Sequence, residues 1–266
     1  MRKYITIFSL SFQNEFTYRL NFILWRLRNV LRILMVITLW NVVLSGRDSV
    51  FGYSSDQLIA YVLLASIVQT LVMASPSNDA VGGEIANGDL SNYLVKPISY
   101  IKFWFTRDLA SKLLNILFAI GEFFFLIIIF RPNISFPFSI QNLIYGLLAL
   151  SLAIISYFFV SKIAVFVSFW IPENTWGFMF IVLVFLEMLS GVIFPLDVMP
   201  SAVRFLVDLT PFPYLVYYPI SIYVGKFTLS ETLVILLKSS LWMVTSFFIV
   251  SRIWRKGLRV YSSEGK

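Results

Sequence analysis

The 266-residue chain contains no cysteine and no histidine. Without cysteine there is no disulfide, no thiolate metal site and no thiol nucleophile. Without histidine there is no Ser-His-Asp triad, no imidazole metal site and no histidine proton relay. Charge is also scarce, at 13% of residues, where ordinary soluble domains carry about 25%. A nucleotide-binding G-x-x-x-x-G-K-[ST] stretch is missing. Gly225-Lys226 has Ile220 where the first glycine belongs and Phe227 where the Ser or Thr belongs, and Gly265-Lys266 has nothing after it. No phosphate cradle is therefore encoded, and no H-E-x-x-H or G-x-S-x-G motif or metal-ligand cluster is present.

Apolar residues fill the space that these absences leave. Hydrophobic residues make up 59% of the chain and aromatics 18%, with mean hydropathy +0.83. Such a chain has too few polar residues to cover its own apolar surface. A polytopic membrane protein is the expected class, since a helix crosses a bilayer with about 20 mostly apolar residues. Six stretches qualify: roughly Trp25 to Leu44, Leu58 to Ala74, Leu113 to Phe130, Leu143 to as far as Trp170, Trp176 to Val192 and Leu233 to Ile253.

The net charge of +7 is distributed unevenly between the loops. With both termini in the cytoplasm, the inner side holds 16 cations: Arg2, Lys3, Arg19, Arg26, Arg28, Arg32, Lys96, Lys102, Arg107, Lys112, Lys162, Arg252, Arg255, Lys256, Arg259 and Lys266. The outer side holds 5: Arg47, Arg131, Arg204, Lys226 and Lys238. The positive-inside rule selects this orientation. The basic excess is then a topology signal and an attraction to anionic membrane lipid, with no need for nucleic acid. Met1 to Asn21 does not read as a signal peptide, because its apolar run breaks at Ser11. Ile5, Phe8, Phe12, Phe16 and Leu20 recur every three or four residues, which predicts an amphipathic helix over 1–21 lying on the inner surface.

Two loops stand out, one on each side. The inner one, 75–112, is about 38 residues long, where helix connections usually take 2–8. Pro76, Gly82 and Gly83 are expected to end the preceding helix. Glu84 to Val95 is expected to form a short helix stopped by Lys96-Pro97, with Gly88 permitting a bend. A second helix restarts over Ile101 to Lys112. The outer loop, 191–225, holds five prolines (Pro195, Pro200, Pro211, Pro213, Pro219) yet stays apolar. Its Pro200 to Leu209 helix is too short to cross a membrane. It reads as a re-entrant hairpin, which survives at membrane depth only under cover of protein or a wet cavity. The alternative is a cap on the headgroups.

Glu122 and Glu187 fall within spans. A charge at mid-bilayer costs at least about 2.5–3.5 kcal/mol, so each needs a partner or a wet cavity. Either they line a path and draw a cationic or amphiphilic substrate, or they are protonated or bonded to a neighbouring helix. Gln69, Asn115 and Asn142 are expected to bond between helices. Aromatics near span ends, such as Trp104, Trp176 and Tyr217, fit an interfacial belt.

Three stretches carry a resemblance to a known family. Glu84-Ile85-Ala86-Asn87-Gly88-Asp89-Leu90 with Leu94 and Pro97 is similar to a cytoplasmic pattern of bacterial ABC-2 type permeases. Gly191-Val192-Ile193-Phe194-Pro195 with Pro200 resembles their outer motif. Trp254 to Tyr261 resembles the C-terminal tail of one subgroup, in which two related membrane chains often accompany a separate ATPase. The resemblance implies an all-α polytopic membrane protein with extracellular re-entrant half-helices between spans five and six. It implies one permease domain over 1–266, with a coupling loop at 75–112, an outer hairpin at 191–225 and a cytoplasmic tail at 254–266. Coupling to the ATPase would fall to Glu84, Gly88, Asp89, Leu90, Leu94 and Pro97, and the outer gate to Gly191, Phe194, Pro195 and Pro200. The partners implied are an ATP-binding cassette ATPase, which would hold the ATP and Mg2+, and a second permease chain, the same or related. The location implied is a bacterial inner membrane, with hydrophobic or cationic drug-like compounds (viologens included), peptides or lipids as cargo. A competing reading is an ATP-independent secondary transporter using an intramembrane glutamate. Six spans without a visible inverted repeat disfavour it.

Overall fold

A computed structural model describes residues 2–17, 19–47, 49–75, 77–130 and 139–262. Met1, Pro76, Arg131 and Lys266 lie outside the described residues, as do the side chains of Phe16, Arg19, Leu20 and Trp25. The regular structure of the described residues is helical, apart from an isolated bridge between Val50 and Tyr53. The helices are α1 (Arg2–Thr17), α2 (Arg19–Leu44), α3 (Ser55–Met73), α4 (Ser77–Ala86), α5 (Ser91–Leu94), α6 (Tyr100–Phe130), α7 (Ile140–Val165), α8 (Thr175–Leu189), α9 (Ser201–Asp208), α10 (Tyr217–Tyr223) and α11 (Leu229–Val260).

Six segments are long and apolar enough to span a membrane: Arg26–Leu44, Ser55–Met73, Tyr100–Ile129, Ile140–Phe169, Pro172–Leu189 and Leu229–Val260. They coincide with the six expected stretches. Local chemistry starts several of them. Ser54 and Gln57 form a capping box at α3, Thr228 and Glu231 form another at α11, and the Ser139 hydroxyl accepts the Asn142 N–H at α7. Each such cap satisfies an N–H that the first turn leaves without an internal partner.

The inner loop departs from expectation in three ways. Gly82 and Gly83 do not end a helix; they lie inside α4, after α3 has already stopped at Met73. Gly82 is there for closeness, since a β-carbon on it would collide with Thr175. The helix expected over Glu84 to Val95 is broken at Gly88, whose φ of +83° is left-handed, and α5 follows as a single turn. Finally, no boundary separates the Ile101 restart from the third span: α6 runs 31 residues without a break. At 1.5 Å per residue that is about 46 Å, well beyond a hydrocarbon core of about 30 Å, so one end protrudes.

At the other end of the chain, α1 packs along α6. It buries Ser11 and half-buries Tyr4, Ile7, Phe8 and Phe12, whereas Ile5 is 68% exposed. The apolar stripe expected through Ile5 is thus rotated, because α1 has a protein neighbour as well as a surface to lie on. Three apolar clusters hold the rest together. One joins α3, α7 and α11 around the outer segment, with Tyr217, Leu215 and Val216 at its centre. A second, rich in aromatics, joins α4, α6, α7 and α11. The third joins α2, α3 and α6.

Candidate coupling elbow, cavity and outer hairpin

The α4–α5 elbow is built around one carboxylate. Glu84 accepts hydrogen bonds from the Tyr100 hydroxyl (2.5 Å), the Tyr93 hydroxyl (2.9 Å) and the Trp104 indole N–H (3.2 Å). Burial and the bond to Glu84 push the Tyr93 hydroxyl up to about 12, so it stays a donor. Past the bend, the Leu90 N–H returns to the Glu84 carbonyl at 2.9 Å and the Leu90 side chain is fully buried. The Tyr261 hydroxyl closes the elbow from α11: it donates to the Gly88 carbonyl (2.5 Å) and accepts the Ser91 N–H (3.0 Å). Trp254, about two turns earlier on the same side of α11, stacks on Tyr100 at 5.2 Å. The predicted docking residues therefore divide. Glu84, Gly88 and Leu90 face inward and shape the elbow. Asp89, Leu94 and Pro97 are exposed on it, together with Val95 at 84% exposure.

Beneath the elbow lies a buried polar knot that ties α4 to α6 and α7. The Asp108 carboxylate accepts the Ser77 N–H (3.1 Å), the Ser77 hydroxyl (2.7 Å) and the Ser75 hydroxyl (2.5 Å). From α7, Lys162 donates to the Ser77 hydroxyl and, at 3.0 Å, to the Asn78 side-chain Oδ1. Lys112 donates to the Val72 and Ala74 carbonyls at 2.7 and 2.6 Å, where α3 leaves carbonyls unpaired. Asp108, Lys112 and Lys162 are 1%, 5% and 1% exposed. Lys112 and Lys162 are thus not the surface charges that the topology count took them for. Periodicity carries no sign of the knot; its only trace in the sequence is charge inside apolar runs.

The two intramembrane acids meet arginines. Glu122 on α6 pairs with Arg26 on α2 (3.3 Å) and accepts from Asn29 (3.1 Å). Arg26 also donates to Asn115. Glu187 on α8 lies 3.8 Å from Arg32, which also bonds Gln69 on α3. Asn115 and Gln69 thus bond between helices as expected. A cavity of about 230 Å³ opens among these groups, lined by Arg26, Arg28, Arg32, Gln69 and Glu187. Both carboxylates face guanidiniums. Arg26 and Arg32, six residues apart on α2 and counted above as inner-side cations, turn toward these acids.

On the far side, the chain reverses where α8 ends. Gly191 has φ +84°, and a β-carbon there would sit 2.8 Å from Tyr217 Cβ and 2.9 Å from the Tyr61 hydroxyl. Only glycine fits this turn. The Tyr61 hydroxyl donates to the Gly191 carbonyl (2.5 Å), the Tyr217 N–H to the Ser190 carbonyl (2.9 Å), and the Trp40 indole to the Ile193 carbonyl (3.1 Å). Phe194 packs against two of the three apolar clusters, and Pro195 is buried while Pro200 is exposed. All the residues of α10 from Tyr217 to Ile222 are buried. Asp197 fastens the hairpin. It accepts from Arg204 (2.8 Å), the Tyr53 hydroxyl (2.5 Å), Lys226 and the Tyr217 hydroxyl.

A family model described as ABC-2 family transporter protein matches residues 30–265. The chain belongs to that family. Among curated proteins no significant match is found. As an ABC-2 membrane chain it is a transport permease without a nucleotide-binding domain, of a kind that works with an ATPase subunit. The family match also spans the elbow, both arginine-facing acids and the outer hairpin. Two of the three stretches that carried the resemblance touch each other: the Tyr261 tail closes the Gly88 bend. Sequence reading missed Tyr261 as an elbow residue, Val95 at its tip, and Asp108 and Lys162 below it.

Proposed function

We propose that this ABC-2 chain is the permease subunit of an ATP-driven exporter in a bacterial inner membrane, with both termini cytoplasmic. It forms a translocation path with a second permease, the same or related, and takes its driving force from a separate ATPase that holds ATP and Mg2+. The carrying observation is the elbow. An exposed tip (Asp89, Leu94, Val95, Pro97) rides on a frame fixed by Glu84 and Tyr261. An isolated loop has no use for such a frame, whereas a docking element that passes force to α6 and α7 does. ATP favours the closed ATPase arrangement, and the elbow converts that preference into a bias between two membrane conformations. The cargo is a hydrophobic or amphiphilic compound, drug-like, peptide or lipid.

The secondary-transporter alternative needs a glutamate that exchanges protons. Glu122 is already engaged by Arg26 and Asn29, so its carboxylate oxygens are taken by protein donors. The test is capture of the ATPase by the full chain. Asp89→Lys with Val95→Glu is expected to leave insertion intact and abolish capture. Undiminished capture refutes the docking assignment. Transport by the chain alone, driven by a pH gradient without ATP, refutes the permease reading.

A further inference from the structure

The last two turns of α11 have two unlike faces. Arg252, Arg255, Lys256 and Arg259 recur at i, i+3, i+4 and i+7, and all four are exposed. At 3.6 residues per turn they share one stripe about 100° wide. Among the described residues none of the four has an ion pair or hydrogen bond. The only acid on α11 is Glu231, in its first turn. The opposite face is taken up by protein. Val250 and Gly257 are buried there. Trp254 meets the Tyr100 and Phe166 rings, each at 5.2 Å, and a β-carbon on Gly257 would collide with the Phe169 ring. That packing fixes the rotation of the helix end and aims the four cations away from the elbow.

Depth decides what the cations meet. The 32 residues of α11 extend about 48 Å, well beyond a hydrocarbon core of about 30 Å. Its apolar run closes at Ile253. Beyond Ile253, Arg255 and Lys256 stand about 3–5 Å further along the axis and Arg259 about 9 Å. The headgroup layer occupies about 5–7 Å on each side. Arg255 and Lys256 therefore lie at headgroup level, and Arg252 reaches it along its own apolar stem. A protein partner would have to displace lipid to touch them. Guanidiniums and ammoniums at this level pair with phosphate oxygens.

We infer that the basic stripe at the end of α11 is a docking face for anionic phospholipid headgroups. The lipid seats the same two turns whose other face holds the elbow through Trp254 and Tyr261. That the lipid belongs to the inner leaflet rests on the orientation proposed above. That the face selects anionic lipid does not, and the binding needs no ATPase, so the two readings fail separately.

The experiment uses the full chain in neutral detergent, with lipid retention read by native mass spectrometry. Phosphatidylglycerol and phosphatidylcholine with identical tails are the probes. Phosphatidylglycerol is expected to be retained in preference. Arg255→Gln with Lys256→Gln should cut that preference about 25-fold, at about fivefold for each basic residue near the headgroups. Both side chains are exposed and without a protein partner, so the fold should survive the change. The control is Arg47→Gln with Lys238→Gln, two exposed cations away from this face, which removes the same charge and should leave the preference near that of the parent. Equal retention of the two lipids by the parent overturns the inference, as does an equal loss from both double variants. An Arg255→Gln, Lys256→Gln chain that keeps its preference for phosphatidylglycerol but no longer captures the ATPase assigns the face to a protein partner, and also overturns it.

Discussion

The chain fastens its inner elbow and its outer hairpin with polar clusters of different construction. Under the elbow, Asp108, Lys112 and Lys162 are at most 5% exposed, and the bonds run to serines, an asparagine and helix-end carbonyls. At the hairpin, the side chains of Asp197, Arg204 and Lys226 are 18%, 30% and 38% exposed. Water can replace a partner in the second cluster but not in the first. A buried charge that loses its partner keeps its whole desolvation cost, whereas an exposed pair loses little. The elbow is thus fixed to α6 and α7, and the hairpin is held by bonds that solvent can exchange.

The largest expected effect comes from the inner cluster. Asp108→Ala leaves the Ser77 N–H and the neighbouring ammonium without their carboxylate, and should cost about 3–5 kcal/mol. Thermal unfolding in detergent measures it. A loss no greater than that of Asp197→Ala would break the contrast between the two regions. Next comes the hairpin turn. Gly191→Ala forces a side chain into a left-handed turn against Tyr217, at about 1–3 kcal/mol. Its counterpart is Gly83→Ala in α4, where a β-carbon meets nothing within 4 Å. That change should be neutral or stabilising by up to about 1 kcal/mol, as alanine is the better helix former. Smaller again is Tyr261→Phe, which removes the donor to Gly88 and the acceptor for Ser91, worth about 0.5–1.5 kcal/mol per bond. Limited proteolysis should find faster cutting over 87–97 and unchanged cutting over 195–210. Equal change at both sites would mean that the elbow and hairpin are one cooperative unit.

The spans were legible because bilayer thickness imposes a length on apolar runs. Gly88 was legible as a bend because a left-handed residue leaves few choices but glycine; Gly191 stood out only through the resemblance, and its turn shows in the structure. What escaped was contact between distant segments. Nothing in the spacing around Glu84 says that its carboxylate is taken by Tyr93, Tyr100 and Trp104, or that Tyr261 reaches back to Gly88. Arg26 and Arg32 read as surface charge because a cation near a span end normally is. Their partners, Glu122 and Glu187, lie 96 and 155 positions further along the chain. Gly82 looked like a helix stop because a glycine that admits a close neighbour looks the same in sequence as one that ends a helix.

The smallest effect concerns acid. Burial alone would push the Asp197 carboxyl up, but Lys226 and the Tyr217 and Tyr53 hydroxyls hold it below its usual range. A carboxyl depressed in the folded state contributes its stabilisation above the unfolded value, about 3.9, and loses it as pH falls through the folded one. The hairpin should therefore be equally closed from pH 8 to pH 5 and loosen only below about pH 4. Protease accessibility over 195–210, followed across pH, reads this directly. Asp197→Asn should raise accessibility modestly at neutral pH and remove the acid transition. An opening centred between pH 5 and pH 8 would mean that a group other than Asp197 governs the hairpin.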